Sequence, residues 1–268
     1  MVEFELFLGI DYSGAEAAGS RLKTLQVYTA TPGSLPEKRL SPTPSNNKQT
    51  VNWSRKEVAG LLVDLARSGV RYVAGIDHGF SFPLSYFERY RLADWPAFLD
   101  DFAHYWPTDS DHVYVDFVRD GALARHGGPA PGMRVGTADE LRLCERWTSS
   151  AKSVFQFDVQ GQVAKSTHAG IPWLRRIREE VGDRVHFWPF DGWSPAADKA
   201  VIAEVYPSIL RKRYAAENRT PDEHDAYAVA RWLAESAARG IFEHYLNPPL
   251  TLQERAVAGK EGWILGVC

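Results

Sequence analysis

The chain has 268 residues, a net charge of -3 at pH 7 and two cysteines. This length lies within the range of one elaborated α/β domain, so we expect a single hydrophobic core with insertions. Cys144 and Cys268 are far apart in the sequence, which excludes a disulfide framework and a four-cysteine zinc site. The small negative charge excludes the broad basic surface of a protein that binds duplexes mainly through phosphates.

The first apolar run, Phe4 to Ile10, is too short to cross a membrane. It begins beside Glu3 and Glu5 and is followed by Asp11, which also argues against a secretory signal peptide. We therefore expect a cytoplasmic protein with no membrane partner.

Three near-continuous apolar runs predict strands that are buried on both faces of a parallel sheet. They are Leu6 to Ile10, Val70 to Ile76 and Ala200 to Val205. The segment Leu22 to Tyr28 is the candidate antiparallel partner of the first run, and we place a further strand near Lys38 to Leu40.

Capping residues mark two helices. Ser54 begins a capping box and predicts a helix start, and Thr220-Pro221-Asp222-Glu223 combines a capping box with proline at the first helical position. Gly240 is placed as the end of that last helix. Between the two, Ile171 to Val181 is predicted to be helical, with Pro172 near its start, and Val185 to Pro189 is strand-like.

We interpret residues 1–268 as one domain. Its core covers about residues 1–84 and 150–242, an aromatic-rich insertion of helices and loops covers 85–149, and a C-terminal tail covers 243–268. Two basic runs, Arg175-Arg176-Ile177-Arg178 and Arg211-Lys212-Arg213, could supply a local nucleic-acid contact. We favour the interpretation that both are solvated faces, since charge runs on helices usually are.

Acidic residues stand at the ends of three predicted strands. Asp11 closes the segment Gly9-Ile10-Asp11, Asp77 closes Gly75-Ile76-Asp77, and Glu204 lies near the end of the third apolar run. The carboxyl ends of parallel strands meet at one edge of a sheet, where open α/β sheets bind their ligands. We therefore expect the three side chains to lie close together.

The last helix is predicted to add two more acids. Asp222 and Asp225 precede Val229, a residue of the apolar stripe, by seven and four residues, so helical spacing directs both towards the buried side. Five carboxylates at one place would repel each other unless divalent cations bound them through oxygen ligands. The sequence therefore predicts a metal site.

Each acid also has a structural interpretation. Asp222 could only complement the N-terminus of its helix, and Asp11 or Asp77 alone could be a turn residue after a strand. Glu204 could pair with a nearby arginine such as Arg211.

Several segments resemble the family catalogued as domain of unknown function 429, which is regarded as a family of predicted nucleases in the ribonuclease H-like superfamily. The segments are Gly9-Ile10-Asp11-Tyr12-Ser13-Gly14, Gly75-Ile76-Asp77 running on to Phe82-Pro83, Glu204-Val205-Tyr206-Pro207-Ser208, Asp222-Glu223-His224-Asp225-Ala226 and Glu261-Gly262-Trp263-Ile264. The resemblance implies an α/β ribonuclease H-like three-layer fold, with a mixed sheet of order 3-2-1-4-5 whose second strand is antiparallel. The spacing of Asp222 and Asp225 is similar to that of the paired aspartates in the last helix of RuvC-type resolvases.

The resemblance also implies a two-metal phosphodiester hydrolysis with Mg²⁺ or Mn²⁺, the two ions about 3.5–4 Å apart. Asp11 would bridge both ions, and Asp77 and Asp225 would each complete one site, with Asp222 or Glu204 in support. The fourth-strand acid is Asp77 where resolvases usually have Glu. The expected substrate is nucleic acid or a nucleotide phosphodiester.

Four further residues are candidates for supporting roles. His224 could shuttle a proton, because the unperturbed pKa of histidine lies near neutrality, although a histidine on a helix surface often has no role. Lys165, Ser166 and Thr167 could bind a substrate phosphate at the start of the following helix.

Two alternatives to a nuclease are left open. A phosphotransferase of the actin and sugar-kinase branch shares the fold core and also opens with a strand like that before Asp11-Tyr12-Ser13-Gly14, but the second phosphate loop is missing. A binding module could have kept the fold without turnover, because fold alone does not establish function.

Overall fold

The computed structural model describes residues 4–42, 52–129, 134–148, 151–157 and 163–268. Within these residues the chain is an α/β protein with a mixed six-stranded sheet. The strands are β1 (Leu6–Asp11), β2 (Gln26–Ala30), β3 (Glu37–Lys38), β4 (Tyr72–Asp77), β5 (Val185–Trp188) and β6 (Ala200–Glu204). The helices are α1 (Arg55–Arg67), α2 (Leu84–Tyr90), α3 (Trp95–Tyr105), α4 (Val115–Arg119), α5 (Ala122–Arg125), α6 (Leu143–Trp147), α7 (Ala164–Val181), α8 (Pro221–Ala238), α9 (Phe242–Leu246) and α10 (Leu252–Glu261).

The strands are arranged in the order β3-β2-β1-β4-β6-β5. β2 pairs antiparallel with β1, which confirms the predicted antiparallel second strand, while β4, β6 and β5 continue the sheet in parallel. The predicted five-strand order 3-2-1-4-5 is wrong beyond β4, because both late apolar runs form strands. β6 is buried at all five residues and lies inside β5, next to β4.

Helices cover both faces of the sheet. On one face, Phe7 and Val73 share a core with Leu233 of α8. On the other face, Ile10 and Ile76 pack in a core that also contains residues of α1, α3 and α7. The alternation of side chains along each strand produces this division.

The helix ends follow the predicted caps at α1 and α8. Ser54 Oγ accepts a hydrogen bond from Glu57 N, and Thr220 Oγ1 accepts one from Glu223 N, both at 3.3 Å. Gly240 follows the end of α8 with a φ of +67°, a conformation that glycine adopts without strain.

α7 begins at Ala164 and not at the predicted Ile171, so Pro172 lies inside the helix. Proline has no N–H to donate to the carbonyl four residues earlier. The His168 carbonyl that is freed in this way accepts a hydrogen bond from Thr108 Oγ1 at 2.8 Å. Thr108, a residue of the insertion, therefore supplies the hydrogen bond that Pro172 cannot donate, and the helix continues through the proline.

The residues predicted as a C-terminal tail form α9 and α10 and complete one core. Trp263 is buried, and Leu265 N donates to the Glu204 carbonyl at 2.9 Å, so the chain end is hydrogen-bonded to the end of β6. No helix within the described residues has both the length and the apolar composition needed to cross a membrane.

α8 approaches β1 closely at Gly9. A Cβ atom at this position would lie 2.0 Å from the Ala226 carbonyl oxygen and 2.6 Å from Ala230 N. Both are backbone atoms of α8, so the contact cannot be relieved by a side-chain rotation. The glycine before Asp11 thus allows α8 to lie directly on β1.

Gly9→Ala is expected to lower the free energy of unfolding by about 3 kcal/mol, because the new methyl group collides with backbone. Gly75→Ala, the equivalent change in β4, meets only the side-chain methyl groups of Val205 and Val229 and is expected to cost about 1–2 kcal/mol. Gly60→Ala, in an open part of α1, is the control and should stabilise by about 0.5–1 kcal/mol. Urea denaturation measures all three, and equal losses at Gly9 and Gly75 would contradict the backbone contact.

Candidate functional site

Asp11 and Asp77 lie side by side at the carboxyl edge of the sheet. β1 and β4 pair with Asp11 opposite Asp77, and the two carboxyl groups share a hydrogen bond. Burial raises the pKa of Asp11 well above its usual range, and the charges of Asp77, Asp222 and Asp225 raise it further. Burial, Asp225 and Glu204 raise the pKa of Asp77 in the same way. The two buried carboxyl groups therefore hold a proton more tightly than isolated aspartates do.

α8 supplies the two other acids of this neighbourhood. Asp222 is partly exposed, and burial raises its pKa, with the charge of Glu223 adding to the shift. Asp225 Oδ2 lies 3.3 Å from Arg211 Nη1. Asp225 Oδ1 is buried and has no hydrogen-bond partner among the described residues. Because both charges also raise the pKa of Asp11, the four acids form one electrostatic site.

The four acids fit a divalent cation by their chemistry. Carboxylate oxygens are the ligands that Mg²⁺ and Mn²⁺ prefer, and Asp225 Oδ1 is an acceptor without a partner. A cation held by Asp11 and Asp77 would compete with the proton that burial favours on these groups. Across the described ranges, no group of three or more His, Cys, Asp or Glu side chains is arranged so that it could hold a metal ion. The carboxylates therefore have suitable ligand chemistry, and their arrangement in this structure does not form a metal site.

Glu204 faces away from this group of acids. β6 pairs with β4 so that Glu204 lies opposite Ile76, and alternation along the strands places it on the other face from Asp77. Its two carboxylate oxygens accept hydrogen bonds from Arg142 Nη1 and Nη2 at 2.7 and 2.6 Å. Oε2 also accepts one from Phe80 N at 2.9 Å. Glu204 therefore fixes the loop that follows Asp77.

Arg142 is the centre of a buried network of ions. Its side chain is 1% exposed and donates from Nε to Glu145 Oε1 at 2.8 Å and from Nη1 to the Glu261 carbonyl at 3.3 Å. Glu204 thus pairs with an arginine, as one interpretation of the sequence allowed, but the partner is Arg142 and not Arg211, because Arg142 contacts both oxygens. The network joins the end of β6 to the insertion and to the end of α10.

His224 contacts the backbone of a neighbouring turn. Its ring is 8% exposed, and Nε2 lies 3.0 Å from the Arg211 carbonyl, so Nε2 carries the proton in this contact. Nδ1 is buried without a partner in the described part of the chain. The imidazole holds the 3-10 turn Arg211–Arg213 in place, and its role as a proton shuttle stays a prediction.

Lys165, Ser166 and Thr167 lie in the first turn of α7. Lys165 Nζ pairs with Asp116 at 2.7 Å, and Ser166 Oγ donates to a carbonyl just before the helix. Thr167 Oγ1 accepts a hydrogen bond from Gly79 N at 2.8 Å, which brings this turn to the loop after β4. All three side chains have partners within the chain, and phosphate binding by them stays a prediction.

A cavity of about 30 Å³ lies between Asp77 and the pair formed by Arg142 and Glu204. Lys152 and Tyr206 contribute to its walls. The volume admits one or two water molecules and is far too small for a nucleotide.

The sequence gives no direct signal for Arg142, and for the turn Arg211–Arg213 it favours a solvated face over a nucleic-acid contact. The one signal for Arg142 is indirect, since a buried acid such as Glu204 requires a cationic partner but its position along the chain is free. The position of the turn could be inferred from the sequence, because Arg211 follows Glu204 by only a few residues. The side chains of Arg211, Lys212 and Arg213 must therefore lie near the sheet edge at which β6 ends.

Comparison of the chain with protein-family models, with curated proteins and with solved structures gave no match.

Proposed function

We propose that the chain is a metal-dependent nuclease or phosphodiesterase that acts on nucleic acid or a nucleotide phosphodiester with Mg²⁺ or Mn²⁺. The observation that carries this proposal is the in-register pair of Asp11 and Asp77, whose pKa values are raised by burial and by the neighbouring acids. Asp222 and Asp225 add their charges from α8. Such a concentration of acids destabilises a fold unless it serves to bind a cation.

Each residue of the site has a defined part in this proposal. When bound, a divalent cation supplies Lewis-acid activation of the phosphodiester. Asp11 and Asp77 would hold the cation through carboxylate oxygens, and Asp225, with its unpartnered Oδ1, would be the third ligand candidate. Glu204 is a positioning residue, because it holds Phe80 N and thereby the loop after Asp77.

The sheet supports membership of the ribonuclease H-like superfamily as part of the same proposal. The order β3-β2-β1-β4, with β2 antiparallel, agrees with the first four strands that the family resemblance implies. The helix that carries the paired aspartates, α8, lies on β1. The phosphotransferase alternative needs two such domains, whereas the described residues contain one sheet. The binding module differs from the nuclease in needing no cation.

Titration of Mn²⁺ by calorimetry tests the proposal without knowledge of the substrate. Wild type is expected to bind Mn²⁺, while Asp11→Asn and Asp77→Asn are expected to lose at least about 100-fold in affinity or to show no binding. Asp100→Asn removes an exposed carboxylate on α3 that pairs only with a surface arginine, and this control should bind like wild type.

Cleavage assays then test the chemistry. Labelled single-stranded DNA, single-stranded RNA, duplexes and bis-p-nitrophenyl phosphate are incubated with Mn²⁺, and Asp11→Asn is expected to reduce any cleavage rate at least about 100-fold. Mn²⁺ binding without cleavage of any probe would favour the binding module. Absence of Mn²⁺ binding by wild type, with and without added phosphodiester, would sink the proposal.

A further inference from the structure

The turn Arg211–Arg213 lies at the rim of the acidic site. It follows β6 after a first 3-10 turn, Pro207–Ile209, and so comes from the same carboxyl edge of the sheet as Asp11. Its first residue reaches the acids directly, because Arg211 Nη1 lies 3.3 Å from Asp225 Oδ2. Positive charge thus stands beside the place where a phosphodiester would be cleaved.

The backbone of this turn is fixed while its side chains stay in solvent. Leu210 is buried, and His224 Nε2 donates to the Arg211 carbonyl at 3.0 Å. Arg211, Lys212 and Arg213 are themselves exposed. A rigid backbone that presents three cations resembles a binding element more than a mobile surface loop, because less conformational entropy is lost when a ligand binds.

The charges of this turn are largely unpaired. Within the described residues, Lys212 and Arg213 form no salt bridge, and Arg211 has only its contact with Asp225. A half-exposed ion pair of this kind contributes little to stability, so Arg211 can turn to another anion at small cost.

The other basic run provides a contrast within the same molecule. Arg175, Arg176 and Arg178 lie on α7, and each of them is neutralised by an acid nearby. The pairs are Arg175 with Asp100 and Glu179, Arg176 with Glu180, and Arg178 with Asp191. The two basic runs therefore differ in pairing, because the arginines of α7 all have acidic partners and the cations of the turn Arg211–Arg213 largely do not.

We propose that the turn Arg211–Arg213 binds the sugar–phosphate backbone of a single-stranded nucleic acid and leads it to the acids at the sheet edge. This inference rests on the proposed function and adds the substrate class to it. A single strand fits better than a duplex because the cationic element is short and the chain as a whole carries a net charge of -3, which offers no broad basic face. Arginine suits this role because its planar fork binds phosphate oxygens in pairs.

Fluorescence anisotropy with labelled DNA and RNA strands of about 20 nucleotides, in Ca²⁺ to slow hydrolysis, tests the inference. The triple variant Arg211→Gln, Lys212→Gln and Arg213→Gln is expected to weaken binding by about 10- to 100-fold at fixed salt. The slope of log K against log salt should fall by about 2, since each lost phosphate contact on a single strand removes about 0.7. The double variant Lys212→Gln and Arg213→Gln leaves the contact between Arg211 and Asp225 intact, and its slope should fall by about 1.4.

The matched control carries the same change of charge elsewhere, as Arg175→Gln, Arg176→Gln and Arg178→Gln, and is expected to keep the wild-type slope. Equal losses in the two triple variants, or unchanged binding after the changes at 211–213, would overturn the inference and leave the metal site untouched. Mn²⁺ binding by a wild type that binds neither strand would also overturn it. Failure of wild type to bind Mn²⁺ is the separate failure of the proposed function. If DNA and RNA strands bind with the same slope of log K against log salt, the sugar–phosphate backbone that they share is the ligand. Tighter binding of a duplex than of a single strand would contradict a single-strand site.

Discussion

Asp11→Asn is expected to make the metal-free protein more stable, with a free energy of unfolding about 1–3 kcal/mol above wild type at pH 7. In wild type, a buried carboxyl group must either keep a proton far above its usual range or repel Asp77, Asp222 and Asp225. Asparagine has the same shape and no charge, and its amide can still donate to Asp77. Urea denaturation in the presence of EDTA measures the difference.

The pH dependence of this difference has a definite sign. Folding raises the pKa of Asp11 above its ordinary value of 3.8. Below pH 3.8 the wild-type carboxyl is therefore protonated in both the folded and the unfolded state, and the penalty for burying its charge is absent. The penalty grows as pH rises above 3.8 towards the folded-state pKa. The advantage of Asp11→Asn should therefore shrink steadily as the pH is lowered towards 4, and a constant difference would point to a change in packing.

Mn²⁺ is expected to cancel or reverse the stability advantage of Asp11→Asn. At a concentration about 100 times its Kd, a ligand adds about 2.7 kcal/mol to the free energy of unfolding, and Asp11→Asn should not receive this gain. Asp100→Asn should follow wild type with and without Mn²⁺. A metal-free Asp11→Asn that is less stable than wild type would show that the carboxyl serves the fold, and the case for a functional acid would be lost.

The sequence predicted the parts of the site that depend on local pattern. The two Gly-Ile-Asp segments lie in register on β1 and β4 because parallel neighbours place equivalent strand ends at one edge. The capping box at Thr220 located the start of α8, and helical spacing then directed Asp222 and Asp225 towards the same edge.

The sequence could not predict the features that depend on pairing across long separations. Glu204 was grouped with the other acids because it ends a parallel strand, yet its offset of one residue against Asp77 turns it to the opposite face. Its partner Arg142 is 62 residues away in a segment without a clear periodic pattern. The start of α7 was missed because Val163 provides no side-chain cap, and because Thr108 compensates for Pro172 through a tertiary hydrogen bond.

The order of the last two strands in the sheet also could not be predicted from the sequence. Both β5 and β6 were predicted as strands, but hydrophobic pattern alone does not state which of two parallel strands is central. β6 takes the inner place beside β4 and is buried throughout. This position brings the end of β6, and the basic turn that follows it, to the acids of β1 and β4.

Arg142→Met is expected to have the largest effect on stability, with a loss of about 3–5 kcal/mol in the free energy of unfolding. The change keeps much of the side-chain volume but leaves the buried carboxylates of Glu204 and Glu145 without their cation. Arg89→Met, which breaks the more exposed pair with Glu140, is the control and should cost less than about 1 kcal/mol.

The double variant Arg142→Met and Glu204→Gln separates the loss of the pair from the loss of packing. Removal of the unpaired charge should recover part of the stability, so the two changes together should cost less than the sum of the single changes. Glu204→Gln alone is expected to keep a Mn²⁺ affinity close to that of wild type, because the side chain faces away from Asp77 and the glutamine oxygen can still accept the hydrogen bond from Phe80 N. Loss of Mn²⁺ binding in this variant, with the fold intact by circular dichroism, would instead make Glu204 a ligand. The contact with Phe80 N would then be broken when the cation binds, and the loop after Asp77 would have to move.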